Sequence, residues 1–150
     1  MFRSPHSRSI PWLLAGCLLF VAACSGDDDG TLSPTPAGGG QERVLDYETF
    51  LTAVAPVLHE RGCSASGDCH GGGIRGTFHL SPDHDRDPVF DFEQSVLQVD
   101  DLDPTASALL RKPLAVDAGG APHAFTAFAS IDDPDYRTIL AWIDAGELRP

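Results

Sequence analysis

Cys63 and Cys69 bracket a short loop, and no other feature of this 150-residue chain constrains its fold as tightly. The pair lies in RGCSASGDCHGGG, residues 61–73, directly after a helical run of apolar residues that stops at Gly62. Residues 71–88 then hold Gly, Pro and Asp in quantity and read as loop. A core this small, crossed by loops this long, needs a staple or a buried cofactor to stay folded. Whatever occupies the two thiols is therefore part of the fold.

The first residues explain why only these two thiols count. Arg3 and Arg8 form a positive n-region ahead of the apolar run Ile10–Val21, which is too short to span a bilayer as a stable helix. It ends in Val21-Ala22-Ala23-Cys24, which resembles the lipobox of bacterial lipoproteins. That resemblance implies a signal peptide over residues 1–23 and a lipid on Cys24, with an ordinary secretory signal as the alternative. The expected location is the bacterial cell envelope, anchored to a membrane through the lipid and periplasm-facing or at the outer membrane. Ser25, in place of an Asp retention signal, favours the outer membrane. Cys17 leaves with the signal peptide, so Cys63 and Cys69 alone remain in an oxidising compartment that does not leave paired thiols unused.

Residues 24–43 are Gly, Pro, Ser, Thr and Asp with almost nothing apolar, which predicts a flexible acidic tether. The folded domain is expected over residues 44–150. The formal net charge of −12 argues against nucleic acid, since no basic face is available to neutralise phosphates. An acidic surface suits a basic redox partner, although solubility explains it equally well.

Periodicity predicts an all-α domain. Asp46 caps a helix with the stripe Phe50, Leu51, Val54, Val57 and Leu58, which Pro56 kinks. Val89–Val99 reads as a short helix with Phe92, Val96 and Val99 on one side. Asp103-Pro104 has the form of an N-cap and N1 proline opening a helix through Leu110. Asp133-Pro134 opens the strongest helix, striped by Tyr136, Ile139, Leu140, Trp142 and Ile143 and stopped at Gly146.

Three chemistries compete for the cysteine loop. Covalent haem c needs two thiols to add across vinyl groups and an imidazole beneath the iron, and Cys69-His70 supplies the second thiol and the histidine together. Five residues, not two, separate Cys63 from Cys69, so Ser64–Asp68 must bulge, eased by Gly67, while Gly71–Gly73 permit close approach of a flat macrocycle. A Cys63–Cys69 disulfide in a haem-free binding or structural module explains the thiols but not His70 or the glycines. Zinc on Cys63, Cys69, His70 and a further histidine has suitable ligand types without knuckle spacing. Asp83, Asp85 and Asp87 lack the glycine and closing glutamate of a calcium loop and read as solvated.

From Phe50 to Gly146 the order of features resembles the cytochrome-c-like domains of secreted and lipid-anchored planctomycete and myxobacterial proteins. The resemblance rests on Phe50…Val54…Pro56-Val57-Leu58, Cys63…Cys69-His70-Gly71, Asp103-Pro104…Lys112-Pro113 and Tyr136…Trp142-Ile143…Gly146. It departs from the family in the wide cysteine gap and in Gly119-Gly120-Ala-Pro-His123, where the family has His-Gly-Gly. It implies N- and C-terminal helices packed around a haem-type site, with Cys63 and Cys69 attached to haem c and His70 as proximal iron ligand. Met1 is the only methionine, so a His/Met site is excluded and His123, in the loop before the last helix, is the expected distal ligand, with His79 and His84 behind it. His59 is expected beside the site. The function so implied is single-electron transfer by a monohaem carrier, not catalysis, with the redox partner open.

Overall fold

A computed structural model describes residues 40–65, 69–72 and 76–150, within the compact unit Pro36–Pro150. The expected signal peptide, Cys24 and almost all of the tether lie outside the described residues, as do Ser66–Asp68 and residues 73–75. The domain is mostly helical. Strand β1 (Glu42–Val44) leads into helix α1 (Tyr47–Thr49), a π-helical turn (Phe50–Val54) and α2 (Ala55–Glu60). After the cysteine loop come α3 (Pro88–Val96), a 3₁₀ turn (Pro104–Ala106) and α4 (Ala108–Arg111). A second 3₁₀ turn (Val116–Ala118), α5 (Pro134–Asp144) and β2 (Glu147–Arg149) complete the order.

The π turn is the structural answer to Pro56. Proline has no N–H to return to the preceding turn, and the chain accommodates this by widening the helix ahead of it. The Ala55 N–H reaches back five residues, to the Phe50 carbonyl. Widening also rotates the apolar stripe. Phe50, Val54, Val57 and Leu58 are buried, but Leu51, expected among them, is 38% exposed.

Asp-Pro pairs start α3, the first 3₁₀ turn and α5 as their chemistry requires. Asp87 accepts the N–H groups of Val89 and Phe90, Asp103 that of Thr105, and Asp133 that of Asp135. The segment from Pro104 to Arg111 is not one helix. Ser107 takes an extended conformation between the 3₁₀ turn and α4, fully buried, with its hydroxyl accepting the Asp100 N–H. That side-chain bond to the backbone outcompetes the helical continuation.

Tyr136, Ile139, Trp142 and Ile143 of α5 pack on the Phe50 face, with Leu109 and Leu110 of α4 completing the centre. The Trp142 indole N–H donates to the Asp46 carbonyl at 2.9 Å, tying α5 to the cap of α1. The two-stranded sheet, absent from the all-α expectation, joins the ends of the domain with Arg43 opposite Leu148. Arg43 is polar enough to read as tether, yet it is buried. Its guanidinium donates to the carbonyls of Asp101, Ile143 and Gly146, which terminates α5 with a side chain from the other end of the domain.

Candidate functional site

The interval between the cysteines is closed at its neck by backbone bonds. The His70 N–H donates to the Cys63 carbonyl at 3.0 Å, and the Gly71 N–H donates to the Ala65 carbonyl at 3.2 Å. The Leu80 N–H donates to the His70 carbonyl at 2.9 Å, so His70 is held from both sides. Cys63 and His70 therefore meet although the gap is wide, and a long insertion costs little once its ends are joined. Gly71 serves this closure. A Cβ there would overlap the Ser64 carbonyl, so the close approach that demands glycine is to the chain's own backbone.

Both cysteines and His70 face one apolar cavity of about 490 Å³ between the cysteine loop, α4, α5 and residues 121–128. That volume is of the kind that buries a small-molecule or cofactor ligand. Leu58, Phe78, Leu109, Phe128 and Ile139 supply its hydrophobic walls. His70 and His123 are the described histidines that line it; His79 and His84 do not. Their ring centroids are 6.0 Å apart and their planes 12° from parallel.

The ring nitrogens are assigned by their partners. His70 Nδ1 lies 2.9 Å from the Phe78 carbonyl and His123 Nδ1 lies 2.7 Å from the Phe125 carbonyl. A carbonyl only accepts, so Nδ1 carries the proton in each ring and, in the neutral form, Nε2 keeps its lone pair. Metal-ligating histidines are oriented in this way. Burial lowers the pKa of His70 below its ordinary value; the Phe78 carbonyl opposes this, and His123 and His79 add to the lowering. His70 is thus held neutral and available as a donor.

The thiols are unpaired with one another, and both are half-buried. Burial, then the neighbouring Cys69, pushes the Cys63 thiol up to about 11. A thiol so protonated neither exchanges disulfides readily nor offers a ready-made thiolate. Among the described residues no three His, Cys, Asp or Glu side chains converge to hold a metal ion. The donor set fits a haem c: two thiols and two imidazoles line one largely apolar cavity.

Behind the neck, Ser64, His59 and Asp83 form a cluster that sequence reading did not anticipate. Ser64 Oγ donates to Asp83 Oδ1 at 2.7 Å and lies 2.9 Å from His59 Nδ1, which is itself 2.8 Å from Asp83 Oδ1. These are the residue types of a serine hydrolase, but the arrangement is different. Both contacts converge on the same imidazole nitrogen, whereas a catalytic histidine uses one nitrogen for each partner. Ser64 is also only 2% exposed. The cluster fixes the end of α2 and the start of the cysteine interval against residues 81–87. Asp83 and Asp87 thus have structural partners rather than standing merely solvated.

A pH prediction follows from the two half-buried histidines. His59 and His70 both have pKa values lowered from 6.5, His59 by burial, then by Arg86, against the pull of Asp83 and Asp91. A base whose pKa is depressed by folding binds protons more readily when unfolded. Its contribution is fully present above pH 6.5 and is lost as pH falls through the folded value. Chemical denaturation of the cofactor-free domain is expected to show stability declining as pH falls below 6.5. The decline due to Asp46 and Asp103, whose pKa values are lowered by bonds from Thr49 and Thr105, is centred at and below the ordinary carboxyl value of 3.8. A double variant, His59→Gln with His70→Gln, should flatten the upper window and leave the lower one; a persisting upper decline would refute the assignment.

Among the described residues no helix is long and apolar enough to cross a membrane. No protein-family model, curated protein or solved structure matches this chain.

Proposed function

We propose that this protein is an envelope-anchored monohaem c-type cytochrome-like carrier that passes single electrons. The observation that carries the reading is the shared cavity: Cys63, Cys69 and His70 open into one apolar space of about 490 Å³, with His70 neutral and oriented through Nδ1. When bound, haem c supplies a one-electron iron couple. Cys63 and Cys69 would hold it covalently, and His70 and His123 would supply the iron's imidazole ligands. The apolar walls exclude water, and with no methionine after Met1 a two-histidine ligand set keeps the potential low. The remaining parts of the reading are a lipid on Cys24, membrane attachment at the cell envelope and a protein redox partner.

Expression with a cytochrome c maturation system, followed by a reduced pyridine haemochrome spectrum, tests this directly. The expected product carries haem that survives acid–acetone extraction. Changing either Cys63 or Cys69 to serine should shift the haemochrome band to that of a singly attached haem, and changing both should abolish attachment. Wild-type protein without covalent haem, with a Cys63–Cys69 disulfide found by peptide mapping, would establish the stapled module instead.

A further inference from the structure

The two imidazoles in the cavity are held very differently. His70 is fixed at three points: its N–H donates to Cys63, its carbonyl accepts from Leu80, and its ring bonds the Phe78 carbonyl while packing 4.7 Å from the Phe78 ring. Cys69 precedes it directly, so attachment of that thiol would pin its backbone further. His123 has one hold, and it is internal. Its ring bonds the carbonyl of Phe125, two residues along the same loop. The loop is anchored where Ala121 N–H donates to the Arg111 carbonyl and Ala127 N–H to the Pro113 carbonyl. Between these points residues 122–126 are all exposed, and among the described residues no backbone hydrogen bond joins them to the rest of the domain.

Resting on the haem c reading above, we propose that His123 is a displaceable ligand and that a neutral diatomic gas binds the iron in its place. A bond from iron to His123 must fix a loop held to the rest of the domain only at its two ends, and that entropy weakens it relative to the bond from His70. The loop can swing out with its ring still bonded to Phe125, because that contact travels with it. Ala127 and Phe128 stay behind as apolar walls of the space it leaves, and Lys112 is the charged side chain that lines the same cavity. Mostly apolar walls in a protein of net charge −12 favour a small neutral molecule over anions such as cyanide or azide, with Lys112 alone to offset that charge at the cavity.

Carbon monoxide added to the reduced, full-length holoprotein is the test, read by visible spectra and by hydrogen exchange. The wild-type protein is expected to convert from a low-spin spectrum to a carbon monoxide spectrum. His123→Ala should bind the gas about tenfold more tightly, since no internal ligand competes. Amides of residues 121–127 should exchange faster once the gas is bound, while those of residues 76–80 stay unchanged. A low-spin wild-type spectrum that resists saturating carbon monoxide overturns this inference and leaves the electron-carrier reading standing. Equal affinity in wild type and His123→Ala overturns it as well. Absence of covalent haem in the haemochrome assay is the separate result that overturns both.

Discussion

Gly71→Ala is expected to destabilise the domain by about 3 kcal/mol or more, seen as a lower urea midpoint. The added Cβ would overlap the Ser64 carbonyl, with the Ala65 carbonyl 3.1 Å away on the same side. Both obstacles are backbone, so no rotamer change relieves them. Ser64 cannot retreat either, since it is buried and bonded to Asp83 and His59. The neck must therefore open, breaking the bonds from Gly71 to Ala65 and from His70 to Cys63.

The control is Gly62→Ala. Gly62 has φ +74°, but an added methyl group there would meet nothing within 4 Å, so it incurs only the left-handed backbone cost of about 1–2 kcal/mol. If the two variants lose the same stability, the tight neck is not what Gly71 provides. If Gly71→Ala folds but no longer accepts covalent haem, the neck is what places Cys63 and His70 at one cavity wall.

What the sequence made legible were the features carried by local chemistry. Asp-Pro pairs announced two helix starts, and Asp87-Pro88 repeats the signal one residue ahead of the expected start at Val89. The α5 stripe needs only its 3.6-residue period to be read, and Tyr136, Ile139, Trp142 and Ile143 are buried as expected. Cys63, Cys69, His70 and His123, singled out in the sequence as cofactor candidates, line one cavity, whereas His79 and His84 do not. The parts that were not legible depend on residues far apart in the chain. Arg43 ends α5 across about a hundred residues, and Arg61 grips Asp133, Asp135 and the Ala127 carbonyl from the far side of the cysteine loop. Neither differs locally from a solvated arginine. Ser107 breaks a helix that its neighbours favour, because its hydroxyl finds Asp100 only after folding. The same holds for Ser64, whose polar side chain gives no local sign of burial.

Phe50→Ala is expected to cost about 3–5 kcal/mol, a large share of the total stability of a small domain. Phe50 is 0% exposed at the point where the π turn meets α5 and α3. Its ring centroid lies 5.4 Å from both Phe92 and Trp142, edge-on to the first and tilted to the second. Removing it takes the central ring from that cluster, and collapse is restricted on two sides. The Trp142 indole is held by the Asp46 carbonyl, and the π turn is imposed by Pro56. The neighbouring Leu51→Ala is the informative comparison, because by hydrophobic spacing alone the two positions belong to one stripe. At 38% exposure Leu51 should cost no more than about 1 kcal/mol. Equal losses at both positions, measured by urea unfolding with unchanged slope, would mean an unwidened helix that buries Leu51 with Phe50. A wide difference means that Pro56 sets which residues reach the core, through the turn it forces on the helix ahead of it.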